Sequence, residues 1–480
     1  MLKVIGNTVT EIVAEQVINV STKKHVWKLT LPLAERVAQT IFIKNADPIK
    51  FGSRRKREDK LRITSNLIES VFKAHENGSP NVKKRLEEFL MTSICTPYAT
   101  MPETKLFREK YGISPPSFLT ISPYGGCNLK CKGCYAASAP LDMPFLSADT
   151  FQWVLDQKRK DWGSWFTVVS GGEPFLWHDG DVDLIEIAAR NPEQYFLVYS
   201  NGTQIDKATA ARLGEAGNIT LAISVEGFEK ETDWRRGKGT FKKILTAFDN
   251  LRNSGVPFGI STTAVPGNAK LVLSDEMVKF FFEEQGVLYQ WLFQYMPIGR
   301  GVDTTRQISP ELRKWMWKRE QELIYDRHLF LADFWNGGPF SSGCIAGARK
   351  EGYMYIDWNG NIYPCVFVPY WKDNIHTLKS SGKPLSDAIF SDLFKGVRDW
   401  QCSYNYLKPP RECGNEIRPC FIRDHHDKAR NVILGTNATP SSSSAEQSLT
   451  DNDYISSMRE YDLGLAEQLD PIWEEYYREE

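Results

Sequence analysis

The strongest constraint on this fold is a rhythm that begins at residue 118. Six short runs rich in β-branched and aromatic residues recur: FLTIS (118–122), FTVVS (166–170), YFLVYS (195–200), ITLAISVE (219–226), FGISTTAV (258–265) and YQWLFQYM (289–296). Most are separated by helix-like stretches. SADTFQWVLDQKRK is one: Ser147 is placed to cap it, and Phe151, Val154 and Leu155 fall on one face. Strand, helix and strand repeated in this way imply βαβ units, so the six runs read as parallel strands. Their right-handed crossovers give a doubly wound sheet or a full or partial barrel, and periodicity does not choose among these.

The flanks read differently. Residues 1–112 form a mainly helical N-terminal extension, in which RITSNLIESVFKAH and SPNVKKRLEEFLMTS place apolar residues three and four apart. A basic cluster there (Lys50, Arg54, Arg55, Lys56, Arg57, Lys60 and Arg62) is read as a solvated loop and helix start, with attraction for phosphates as the less economical account. Residues 113–330 hold the strand rhythm. In 331–434 the pattern loosens into a small cysteine-bearing module, with a hairpin expected where YMYIDW and IYPCVFV flank Asn359-Gly360. The Ser-rich stretch 435–450 is expected to be a flexible linker, and 451–480 an acidic tail or a docking helix around Trp473, Tyr476 and Tyr477.

Lys plus Arg number 59 against 60 Asp plus Glu, so no global field argues for a nucleic-acid partner. No run approaches the ~18 apolar residues needed for a bilayer span, and MLKVIGNTVTEIV lacks the basic start and apolar core of a signal peptide. A cytoplasmic protein without a transmembrane segment is expected. In such a compartment nine cysteines argue for metal or redox chemistry rather than disulfides.

Three of them, Cys127, Cys131 and Cys134, crowd the loop after the first strand with Cys-x3-Cys-x2-Cys spacing. Structural zinc takes four protein ligands, whereas a cubane held by three thiolates leaves one iron free for another molecule. A zinc knuckle with a distant fourth ligand is the competing account. Three further segments sit at strand ends: Gly171-Gly172-Glu173-Pro174, Ser200-Asn201-Gly202-Thr203 and Ser224-Val225-Glu226-Gly227. In parallel α/β folds those carboxyl ends form one mouth, where ligands bind.

Together the cysteine loop, the GGEP segment and the later strand-end motifs resemble the radical S-adenosylmethionine superfamily, over roughly residues 115–300. The resemblance implies a partial (β/α)6 barrel. It implies a [4Fe–4S] cluster on Cys127, Cys131 and Cys134 whose open iron binds the amino and carboxylate groups of S-adenosylmethionine. Gly171, Gly172 and Glu173, followed by Pro174, would hold the methionine amino group; Ser200, Asn201 and Ser224 would lie near the ribose and carboxylate; Arg236 is a candidate for the carboxylate. Many members carry an aromatic residue just before the third cysteine, where this chain has Gly133, with Tyr135 following. The implied chemistry is reductive cleavage to a 5′-deoxyadenosyl radical that removes hydrogen from a substrate, driven by a one-electron donor such as flavodoxin or ferredoxin. No side chain beyond the cluster ligands is assigned as catalytic.

Cys344, fifteen residues, then Gly360 and Cys365 resemble the opening of SPASM and twitch auxiliary-cluster domains, with Cys413 and Cys420 as the further ligands of a second [4Fe–4S] cluster. Zinc is the alternative there, and Cys402 is read as a packed thiol. Peptide or protein modification is the favoured activity. The alternatives are the same chemistry on a small molecule, sugar or lipid, or a noncatalytic zinc or iron–sulfur interaction protein.

Overall fold

The computed structural model describes residues 27–44, 47–95, 101–138 and 142–478; the first 26 residues of the N-terminal extension lie outside them. All six expected strands form, as β1 (Phe118–Ile121), β2 (Phe166–Val169), β3 (Tyr195–Ser200), β4 (Ile219–Ser224), β5 (Phe258–Ala264) and β6 (Gln290–Gln294), each parallel to the next. Ser147 caps the helix Ala148–Trp162 by accepting from Thr150 N, and Phe151, Val154 and Leu155 are buried beneath it.

The parallel sheet is wider than six strands. β7 (Leu331–Asp333) adds to β6, and β8 (Tyr353–Ile356) adds to the free edge of β1 with Phe118 opposite Tyr353. Beyond β8 the sheet continues antiparallel through β9 (Asn361–Tyr363) and β10 (Asp373–Asn374). Its order is β10-β9-β8-β1-β2-β3-β4-β5-β6-β7, and the two end strands are not paired to each other, so the barrel is partial. The Asn359-Gly360 hairpin is present, with Gly360 at φ 80°. Its first arm is a strand of the main sheet, so residues 331–356 are continuous with the barrel.

Period-two alternation divides the strand residues. Leu119, Ile121, Val169, Phe196, Val198 and Ile260 are buried in the main core against the helices. Their neighbours Phe118, Thr120, Phe166, Val168, Leu197, Tyr199, Trp291 and Phe293 face the barrel interior and wall a cavity.

Two flanks depart from their composition. Residues 435–450 are packed rather than linker-like: Thr439–Pro440 pairs with Tyr370–Trp371, Ser442 caps the helix Ser443–Gln447, and Tyr370 Oη donates to Ala445 O at 2.8 Å. Ser442 serves as the cap, and the few apolar residues, Ala438, Ala445 and Leu449, are all buried. Residues Asn452–Tyr476 form one helix, which buries Ile455, Met458, Leu465, Leu469, Ile472 and Trp473 against its own chain. Two of its acids are held by Arg418, which contacts Asp462 and Asp470. In the N-terminal helix Arg54–Asn77, Lys56 and Lys60 are buried rather than solvated, and Lys56 Nζ pairs with Glu416 at 2.8 Å. Among the described residues no helix is long and apolar enough to cross a membrane.

Candidate radical cluster and cofactor site

The loop after β1 carries Cys127, Cys131 and Cys134, all half-buried. The loop after β2 is fused to it. Gly172 N donates to Tyr124 O and Glu173 N to Gly126 O, both at 2.9 Å. A Cβ on Gly172 would lie 1.9 Å from Gly126 O, and one on Gly171, which takes φ 129°, would lie 2.6 Å from Tyr124 O. The two glycines therefore permit backbone to approach backbone at this joint.

Glu173 is buried and does not line the cavity, in contrast to the role expected for it; neither does Pro174, which starts a short 3₁₀ turn. The Glu173 carboxylate accepts from Ser200 Oγ and Asn201 N, both at 2.8 Å, and from Phe175 N at 3.3 Å. Burial pushes its pKa up to about 7 against these bonds. Glu173 is thus a positioning residue that fixes the β3 turn. Ser200, Asn201, Ser224 and Arg236 do face the cavity, together with Gly171 and Gly172.

The thiols receive N–H groups from three directions. Cys127 Sγ accepts from Leu129 N at 3.4 Å and Asn201 Nδ2 at 3.8 Å, and Cys131 Sγ from Arg236 Nη1 at 3.9 Å. Such donors suit sulfur that carries negative charge, as in a cluster ligand. Burial raises the Cys127 thiol to about 11, so a metal cluster bound there would have to displace its proton.

Glu226, two residues beyond β4, belongs to a strand-end motif of the sequence but was given no role there. It is buried and takes Arg235 Nη1 and Arg236 Nη2, each at 2.5 Å. Arg235 in turn donates to Lys132 O at 3.2 Å, and Arg300 Nη1 donates to Cys131 O at 3.0 Å. Two guanidinium groups from the end of the helix Glu229–Arg236 and a third from Arg300, after β6, therefore hold the cysteine loop. Gly133, at φ 67°, leaves the space that a Cβ would need to Tyr295, whose Cε2 would be 2.7 Å away. The ring missing beside the third cysteine is thus replaced by one from the end of β6.

From this loop a single cavity of about 570 Å³ runs through the barrel to Cys344, Cys365 and Cys420. Phe293, Phe334, Trp335, Tyr353 and Phe367 wall that far end. Cys365 Sγ lies 2.9 Å from Tyr353 Oη and accepts from Phe367 N at 3.4 Å, while burial pushes Cys420 up to about 12. Cys413 does not join them, contrary to its expected place in the ligand set. Its thiol is buried 3.6 Å from Glu416 Oε1 in a separate apolar cluster with Trp317, Leu465 and Trp473, because the C-terminal helix covers it. Cys402 is exposed. Among the described residues no three His, Cys, Asp or Glu side chains are gathered to hold a single metal ion; the ligands of a four-iron cube sit farther apart than that.

A polar patch interrupts the aromatic wall. Gln294 Nε2 donates to Asp333 Oδ2 at 3.0 Å, which leaves the buried Gln294 Oε1 without a donor, and Asn336 Nδ2 donates to Glu320 Oε1 at 3.2 Å. Burial, with the Asp333 charge beside it, holds Glu320 protonated well above the carboxylate range.

Comparison with known proteins agrees with this geometry. Residues 121–270 match the model of the Radical SAM superfamily. The chain is a radical S-adenosylmethionine enzyme. Mycofactocin maturase MftC of Mycobacterium ulcerans is 25% identical over 329 residues, covering 67% of this chain and 84% of the relative. AdoMet-dependent heme synthase of Methanosarcina barkeri is 25% identical over 291 residues, covering 54% and 79%. Among solved structures, Streptococcus suis SuiB bound to precursor peptide SuiA superposes with a TM-score of 0.54 at 18% identity, covering 78% of this chain and 90% of that one, which shows a shared fold. The Radical SAM match of this chain implies a [4Fe–4S] cluster and S-adenosylmethionine, and the three thiols lining one cavity, the N–H donors to sulfur and the paired arginines fit both groups.

Proposed function

We propose that this radical S-adenosylmethionine enzyme modifies a peptide or protein side chain held in the aromatic cavity. The supporting observation is that one cavity joins the cysteine loop to Cys344, Cys365 and Cys420. A substrate group placed there would lie between two iron–sulfur sites. Peptide over small molecule is favoured by likeness to a maturase and to the fold of a protein bound to its precursor peptide.

On this reading Cys127, Cys131 and Cys134 would hold the radical cluster, and Cys344, Cys365 and Cys420 an auxiliary one. The bound cluster and cofactor supply the electron and the hydrogen-abstracting adenosyl group. Asn201, fixed by Glu173, and Arg236, fixed by Glu226, orient the cofactor's polar groups. The aromatic wall excludes water from the reacting carbon. Gln294, held by Asp333, presents Oε1 to an N–H or O–H of the substrate, and the Glu320 carboxyl holds a proton beside it.

The test is substrate-dependent 5′-deoxyadenosine formation by reconstituted enzyme, with pooled peptides and with a porphyrin supplied separately. Stimulation by a peptide pool, with a mass change in one member, supports the proposal. Stimulation by the porphyrin alone contradicts it.

A further inference from the structure

We infer that the polar patch formed by Gln294, Asp333 and Glu320 receives the ammonium or guanidinium group of a basic substrate side chain. The inference rests on reading this cavity as the seat of a peptide substrate, and it names the type of residue that enters.

Gln294 ends β6, Asp333 ends β7, and Glu320 stands on the helix Pro310–Tyr325; all three line the cavity. Gln294 is 1% exposed, yet its Oε1 has no donor. Its amide orientation is set by Asp333, whose Oδ2 accepts from Nε2 at 3.0 Å, so Oε1 is the acceptor left over. A buried acceptor without a partner is costly, and a ligand N–H is what it lacks.

The charges behind the patch do not balance when every group is ionised. Arg313 Nη1 and Nη2 donate to Asp424 at 3.0 and 3.1 Å, and Arg423 Nε donates to the same carboxylate at 2.8 Å. Asn336 joins this group to the patch: its Oδ1 accepts from Arg313 Nε at 3.1 Å, and its Nδ2 donates to Glu320 at 3.2 Å. Three buried carboxyls, Glu320, Asp333 and Asp424, thus meet two buried guanidinium groups. A proton on Glu320 makes up the difference, in keeping with the upward shift that burial and the Asp333 charge impose on it. From the neighbouring elements, the N-terminal helix brings Asp59, which is engaged by Arg55 at 3.0 Å and by the hydroxyls of Tyr325 and Tyr477. The C-terminal helix brings the Tyr461 ring, 5.6 Å from the Arg423 guanidinium.

A substrate cation supplies the missing charge. As it enters, Glu320 yields its proton to solvent, and the carboxylate so formed pairs with the cation, so the net charge of the patch is unchanged. Gln294 Oε1 accepts one of its N–H groups, and the faces of Phe334 and Trp335, which wall the same cavity, suit a cation. Among the described residues the cations lining the cavity are Arg235 and Arg236, both at the cysteine-loop end and both held by Glu226, so neither competes at the patch. A neutral amide or hydroxyl satisfies Gln294 but leaves Glu320 protonated, which separates the two chemistries.

The experiment titrates reconstituted enzyme, loaded with S-adenosylmethionine, with acetyl-Gly-Lys-Gly-amide, its arginine and norleucine counterparts, and n-butylammonium. Calorimetry in buffers of different ionisation enthalpy, at several pH values, counts the protons released. The lysine or the arginine peptide is expected to bind about 10-fold more tightly than the norleucine peptide at pH ~7 and to release close to one proton per site. Its affinity rises with pH by up to about tenfold per unit, while that of the norleucine peptide stays flat. Glu320→Gln, which keeps the shape of the protonated acid, is expected to lose the proton release and the preference while norleucine binding persists. Equal affinity for basic and neutral peptides, binding of the basic peptides without proton release, or release that persists in Glu320→Gln overturns the inference. If no tripeptide binds while n-butylammonium binds with release of a proton, the cation site stands and the peptide reading fails; if n-butylammonium fails as well, the cation site is overturned.

Discussion

The two ends of the cavity are built from opposite materials. At the cysteine-loop end, Glu226, Arg235, Arg236, Arg300 and Glu173 hold backbone and thiols by charge-assisted hydrogen bonds. At the far end Cys344, Cys365 and Cys420 sit among Phe334, Trp335, Tyr353 and Phe367. The first end is suited to a charged, polar cofactor whose position must not drift, because fixed ionic partners cost nothing to reorganise when it binds. The second is suited to a dry site that admits an apolar group. The difference suits the proposed placement of cofactor at one end and substrate at the other.

The largest expected effect lies at the far end. Cys420→Ala should remove the auxiliary cluster, about four iron atoms per chain, whereas Cys413→Ala should leave iron and labile sulfide unchanged. Equal loss in both variants would restore Cys413 to the ligand set, and zinc in place of iron would change the chemistry of that end altogether.

A smaller effect is expected at the polar end. Glu226→Gln leaves two half-paired guanidinium groups facing a buried amide, which costs about 3–5 kcal/mol by the usual penalty for breaking a buried pair. The wild type and variant can be compared by denaturant unfolding of the apoprotein and by S-adenosylmethionine affinity. A stability loss below about 1 kcal/mol would show that the network is not what stiffens this end.

A third contrast is set by Lys60, buried where the N-terminal helix meets Phe340 and Ser342, with its pKa lowered to about 7 by burial. Between pH ~7 and ~10 the unfolded chain binds this proton and the folded chain does not, so its contribution makes stability rise with pH, by up to about 1.4 kcal/mol per unit. Lys60→Met should lower that slope by the same amount. An unchanged slope would mean that Lys60 remains charged in the fold.

Much of this was legible in the sequence, for identifiable reasons. The six strands and the Ser147 cap follow from local pattern, and the mouth follows from the rule that ligands gather at the carboxyl ends of parallel strands. β7 was not legible, since Leu331-Ala332-Asp333 is too short to show a period. The pairing of β8 with β1 joins residues more than two hundred positions apart, which no local signal reports. Glu226 stood inside a quoted motif, yet its meaning depends on Arg235 and Arg236 folding back onto it. Glu173 was assigned to the cofactor because nothing local showed that the β3 turn would satisfy its carboxylate. The Ser-rich segment misled because serine serves a helix cap as readily as a linker.

The central claim is that the Cys127, Cys131 and Cys134 loop carries the radical chemistry. Its most direct test is anaerobic reconstitution with iron and sulfide, then dithionite and S-adenosylmethionine, with 5′-deoxyadenosine measured by mass spectrometry in wild type and Cys131→Ala. The account predicts the nucleoside in the wild type, its loss in the variant, and retention of the far-end iron. Undiminished nucleoside in Cys131→Ala would contradict it.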